Sequence, residues 1–169
     1  QEARRRGLLS MRTVAMPYLE LATGDTAEID DVISRLAGIG VATGFGDDVL
    51  SLGGIKVYLD GEALKGQAWL DCPWDASGYT GLRRIPEAEY RRLVAWCAAH
   101  GWGVGTHAVG SAAVALAVDA AATAGTPVAD LRFQIIHGYL ETPAVAMAQA
   151  AGAGVIASLQ PSIIWHNGA

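Results

Sequence analysis

Apolar positions along the 169-residue chain follow two alternating periods. At 11–21, MRTVAMPYLEL, β-branched and apolar residues alternate, which predicts a strand ending near 17–21. A turn at Thr23, Gly24 and Asp25 leads into AEIDDVISRLAGIG. There Ile29, Val32, Ile33, Leu36 and Ile39 fall at helical spacing, and Gly38 and Gly40 mark the end. Gly53 and Gly54 introduce a second strand at 55–59, and Pro86 opens an amphipathic helix running to His100. GWGVGTHA predicts the third strand, followed by an alanine-rich helix at 112–124 and a break at Gly125, Thr126 and Pro127. LRFQIIHGY predicts the fourth strand, Thr142 and Pro143 start a helix reaching Ala151, and GVIASLQP predicts the fifth. The first ten residues, QEARRRGLLS, predict the tail of a helix ending at Gly7, as in a chain cut from a longer one.

The order β-α-β-α-β-α-β-α-β, with strands apolar on both sides, predicts an α/β fold whose parallel strands alternate with covering helices. Neither a GxGxxG at the first strand-helix turn nor a P-loop is present, which argues against a nucleotide-binding unit. A partial TIM (β/α)8 barrel fits better, since five strands cannot close an eight-strand ring. Between Gly61 and Ile85 runs a loop rich in Trp, Pro and Gly, too long for an ordinary connection and placed as a lid would be.

Composition sharpens this picture. With 51% hydrophobic and 17% charged residues the chain is mostly interior, and the nearly all-apolar faces of 111–124 predict packing on more than one side, as in a piece of something larger. The formal net charge of -5 and arginines without interleaved aromatics exclude nucleic acid as a partner. Cys72 and Cys97 form no disulfide framework, so reduced thiols and a cytoplasmic location are expected. No apolar run reaches the roughly 18 residues of a membrane span, and residues 1–10 are no signal peptide.

The candidate chemistry lies at strand ends. Lys56 stands inside an apolar strand, where an unpaired ammonium is costly and needs a partner, a shifted pKa or a modification. The plainer expectation is a lysine that snorkels or pairs with Asp60. His107 and His137 each close an apolar strand. Backbone groups readily satisfy one such histidine, but two at equivalent points of strands about 4.8 Å apart can aim both imidazoles at one ion. With Lys56 one strand earlier, three polar groups share the carboxyl rim, where parallel α/β folds carry chemistry.

The segments GIKVYLDGE, GTHAVGSAAVALAVDA and QIIHGYLETPAVAMAQAAGAGVIASLQPS resemble the metal-dependent amidohydrolase superfamily. The likeness is to its amidohydrolase 3 branch, which carries GIK…DG, HAIGDRA, EHAQ and ASVQP in order, and GFGDDVLSLGGIK resembles the approach to that family's fourth strand. The resemblance covers almost the whole chain and implies strands three to seven of the barrel. It implies that Lys56 is carboxylated by CO₂ and bridges two metal ions, becoming an anionic oxygen ligand, and that His107 and His137 are ligands from strands five and six. The implied cofactor is a divalent metal, zinc before others, as one or two ions. Several positions depart from the pattern: Ser111 and Ala112 replace the Asp-Arg after HAIG, and EHAQ reads Ile136, His137, Gly138, Tyr139. Such positions orient ligands in the family, so ligand orientation and substrate choice follow a different arrangement here. The family's strand-one His-x-His pair and its strand-eight aspartate, the usual proton shuttle, have no counterpart. The domain at 1–169 is therefore expected to lack the first and last strands, the catalytic aspartate to lie outside it, and the piece alone to be inactive.

The activity implied is metal-assisted hydrolysis of C–N bonds in a small, amide-like, non-peptide substrate, with metal-activated water as nucleophile. Gln160, Trp69, Trp74 and Tyr79 are substrate-side candidates, although the aromatics equally suit a packed loop core. His166 either approaches the site or belongs to a loop with Trp165, Asn167 and Gly168, and His100 is expected at the surface. Two other readings stay open: an α/β binding or scaffold module with structural rim histidines, and a catalytically lapsed relative. A five-strand arc leaves two edges and an inner face open, which predicts association with a second copy.

Overall fold

The computed structural model describes residues 1–167, apart from the side chains of Ile164, His166 and Asn167. A short helix α1 (Glu2–Arg5) precedes β1 (Thr13–Ala15), α2 (Thr26–Ile39), β2 (Leu50–Leu52) and β3 (Ile55–Tyr58). After the long loop come α3 (Glu87–Ala99), β4 (Val104–Ala108), α4 (Ser111–Ala122), β5 (Gln134–His137), α5 (Ala144–Ala153), β6 (Ile156–Ser158) and α6 (Pro161–Asn167). The strand-helix alternation is the expected one, with every strand pair parallel.

The helices start where their sequences permit. Asp25 caps α2 by accepting the Glu28 amide at 3.0 Å, while the Glu28 carboxylate takes the amides of Thr23 at 2.9 Å and Gly24 at 2.7 Å. The cap is thus made by Asp25, while Glu28 holds the turn before it and the Asp25 amide goes to Thr23 Oγ1 at 3.4 Å. The N-cap of α4 is Gly110, which has no side chain to offer. Its missing acceptor comes from the long loop: the Trp69 carbonyl takes the Ala112 amide at 3.1 Å.

Two features differ from the sequence expectation. The strand expected at 11–21 is regular only over Thr13–Ala15, because Pro17 has no amide to give to a ladder. Pairing resumes beyond it, with Lys56 N–H donating to Pro17 O at 2.8 Å and Leu19 N–H to Lys56 O at 3.1 Å. The second is β2, a strand not anticipated because Leu50–Leu52 is too short for a period to register. β2 and β3 are one strand interrupted at Gly53 and Gly54: Thr13 pairs with Leu50 and Ala15 with Leu52, whereas Tyr18 pairs with Lys56, one residue further on. That extra residue is a bulge. It needs Gly54, whose φ is +109° and whose missing Cβ lets the Gly103 backbone close against it. The strand order is therefore β1, β2/β3, β4, β5, β6, an arc of five positions.

The core fills one side of this arc. Ile55, Val57 and Leu59 point into a layer of Leu93, Val94 and Cys97 from α3 and of Ala113, Ala117 and Val118 from α4, all buried. The opposite parity of β3 carries Lys56 and Tyr58. Register sets Gly105 beside Lys56 and His107 beside Tyr58 on β4, so the side chains of Lys56, Tyr58 and His107 share the concave face.

Candidate functional site

The carboxyl rim of the arc is built from the last inward positions of β3, β4 and β5. Lys56 is half-buried; its ammonium donates to Val57 O at 3.2 Å and lies 4.1 Å from the centre of the Tyr58 ring. Burial pulls its pKa down to about 8, and the charge of Asp60 works against that shift. Tyr58 in turn stacks on His107, with ring centres 4.3 Å apart. His107 meets the edge of His137 at 4.6 Å. Lys56, Tyr58, His107 and His137 thus form one continuous series across three strands.

His137 reaches this series by an unusual route. It pairs with Ala108, which faces the helices, so strict alternation would send His137 to the wrong side. Its φ of +86° turns the ring back to the concave face. A non-glycine residue held there costs on the order of 1–3 kcal/mol, a strain that surrounding structure must sustain and that clusters at functional positions. Sequence periodicity carries no signal of this turn.

Burial disfavours charge on both imidazoles. The His107 pKa falls to about 4, through desolvation first and then through the charges of His137 and Lys56. His137 is lowered too, mainly by burial, with the neighbouring Gln160 amide opposing. Both rings are therefore neutral at pH 7, and the Nδ1 atoms of both are buried without a hydrogen-bond partner. A neutral imidazole nitrogen with nothing to bind is the donor type a divalent ion takes. The two histidines line one cavity of about 270 Å³ together with Tyr58, Glu62, Val109 and Tyr139. In the sequence, only Tyr58 was recoverable among these neighbours, two residues beyond Lys56 on the same strand face. Glu62 and Tyr139 come from loops, where spacing predicts no direction.

A profile of the amidohydrolase family matches residues 1–167. The chain belongs to this family. Among solved structures, this chain is similar to an uncharacterised metal-dependent hydrolase from Pyrococcus furiosus, at 23% identity and a TM-score of 0.77, covering 98% of this chain and 32% of that one. It is also similar to an uncharacterised metal-dependent hydrolase from Pyrococcus horikoshii OT3, at 25% identity and a TM-score of 0.76, covering 96% of this chain and 30% of that one. The chain thus spans less than two thirds of the length of either structure, and its fold is part of their (β/α) barrel. No curated protein matches it.

The remaining sequence candidates of this family member lie around the site in different ways. Gln160 follows β6; its Nε2 donates to Ser158 O at 2.8 Å, while its Oε1 is buried and unpartnered. Trp69, Trp74 and Tyr79 do not line the cavity between the histidines. Trp69 packs against the core under the Arg83 guanidinium, and Trp74 Nε1 donates to Ala68 O at 2.8 Å. Tyr79 is exposed. His166 falls in α6, and its side chain is outside the described residues. Ser111, standing where the family pattern has aspartate, is buried and donates to Asp71 Oδ1 at 2.8 Å, tying the loop to the start of α4. Among the described residues, the carboxylate and thiol atoms that gather within 4.8 Å of one another are those of Asp71, Cys72 and Glu141, all exposed on the loops above. None of the described helices is long and apolar enough to cross a membrane.

Proposed function

We propose that this chain supplies the Lys56, His107 and His137 part of a metal-dependent amidohydrolase site that hydrolyses C–N bonds of small, amide-like, non-peptide substrates. The observation that carries the reading is the pair of buried, neutral, unpartnered imidazole nitrogens on one cavity wall. His107 and His137 would hold a divalent ion, zinc before others, with Lys56 joining as an oxygen ligand once carboxylated. A metal bound there supplies Lewis-acid polarisation of the scissile carbonyl and activation of water. The protein's own contribution is to keep both rings neutral by burial and to wall the substrate space with Tyr58, Glu62 and Tyr139. Carboxylation would replace the half-buried ammonium of Lys56 by a carbamate anion, whose burial a bound cation would offset. The acid-base group for the leaving amine is expected outside these residues.

Elemental analysis of the full-length protein, prepared with and without bicarbonate, tests this directly. Stoichiometric zinc in the wild type, lost by tenfold or more in affinity in His107→Ala and His137→Ala, is the expected result. A wild type free of divalent metal under both conditions would count against the reading. It would favour the alternative of a binding module or lapsed relative, for which Lys56 bonded to Val57 O and stacked on Tyr58 would be a finished structural arrangement.

A further inference from the structure

Asp60 is the buried carboxylate of the described residues, with no exposed surface. It stands just past β3, and three backbone amides from two separate segments converge on it: Trp69 at 3.1 Å, Val109 at 3.0 Å and Gly110 at 2.9 Å. Its own carbonyl takes the Arg84 Nε–H at 3.1 Å. A side chain bonded this way is fixed in position by the backbone around it, independent of any rotamer preference.

One further group faces it. His107 Nε2 lies 3.6 Å from Asp60 Oδ1 and 3.4 Å from Gly61 O. A carboxylate and a carbonyl only accept hydrogen bonds, so a lone pair on Nε2 would meet two negative oxygens at close range. A proton on Nε2 turns both contacts from repulsive to attractive. The other ring nitrogen, Nδ1, then carries the lone pair, and it is the atom left buried without a partner.

We infer that Asp60 is a positioning residue: it selects the Nε2–H tautomer of His107 and so presents Nδ1 as the free donor atom. Its attachments give this a second consequence. The loop (through Trp69) and the β4–α4 turn (through Val109 and Gly110) are both hydrogen-bonded to the carboxylate that orients the ring, so the tautomer is coupled to the docking of the loop. The inference about the tautomer stands on geometry alone; its bearing on zinc rests on the metal reading above.

Nitrogen-15 NMR of histidine-labelled, metal-free full-length protein at neutral pH reads the tautomer without using activity, with His107→Gln identifying the signals. The expected wild-type pattern is a protonated Nε2 and an unprotonated Nδ1 on His107; the reverse pattern, or rapid exchange between both, overturns the inference whether or not any variant folds. In Asp60→Asn the amide confronts donors with a further donor, and His107 should move to a mixed tautomer while His100 keeps its wild-type signals. Zinc affinity, measured by competition with a chromophoric chelator, should fall by about 10- to 100-fold. A folded Asp60→Asn with an unchanged His107 pattern overturns the positioning role. A wild type with the expected tautomer but no zinc uptake upholds the role of Asp60 and removes the metal reading instead.

Discussion

At the scale of single residues, burial sets the protonation of the rim more strongly than pairing does. His107 has a folded pKa of about 4 against an ordinary 6.5, so the unfolded chain takes a proton over a window in which the native ring does not. The stability tied to keeping His107 neutral is therefore complete above about pH 6.5 and is lost progressively as pH falls to about 4. Urea unfolding of chelator-treated wild type and His107→Gln across that range should show a difference that shrinks with acid; a constant difference would contradict it. How much of this was legible in the sequence varies by residue. Lys56, His107 and His137 were readable because a polar residue closing an apolar strand stands out against its neighbours. The route by which His137 joins them was not, because a φ of +86° reverses the face that alternation assigns. Asp60 was visible only as a partner for Lys56, since its main bonds are to the backbone amides of residues 69, 109 and 110, and these leave no mark on side-chain pattern.

At the scale of elements, the periodic segments were readable and the interrupted ones were not. The helices at 26–39 and 87–99 follow their apolar spacing closely, because each buries one face, whereas 111–122 is buried on more than one side, as its nearly all-apolar sequence predicts. The bulge at Gly53 and Gly54 escaped because a one-residue slip has no periodic signature. The contact between loop and α4 is equally nonlocal and gives a sharp prediction. A Cβ on Gly110 would fall on the Trp69 backbone, which cannot step aside without releasing Ala112 and Asp60. Gly110→Ala should cost about 1–3 kcal/mol, the usual range for forced overpacking. Chemical denaturation checks this, and faster amide exchange at Trp69 and Ala112 should accompany it; a neutral substitution would mean that the loop shifts freely.

At the scale of the whole molecule, the arc is covered on its convex side and open on its concave side and edges. Val14 on β1 is 58% exposed, Ile156 on β6 is 45% exposed and Leu159 just beyond it is 58% exposed. Strands left unpaired in this way offer free backbone groups and apolar surface together. The 169-residue chain on its own is expected to self-associate, and sedimentation velocity at micromolar concentration checks it; a clean monomer would contradict the expectation.

The long loop, anticipated as a lid, is anchored at its base. Its stem is paired, with Leu70 N–H on Thr80 O at 2.7 Å, Leu82 N–H on Gln67 O at 3.1 Å and Arg84 N–H on Leu59 O at 2.9 Å, while residues 75–79 stay exposed. Everything that holds the rim in register lies below that tip. The tip is therefore a cassette: length and sequence can be exchanged between Asp75 and Tyr79, giving the barrel mouth a new outer surface while the strand ends beneath keep their spacing.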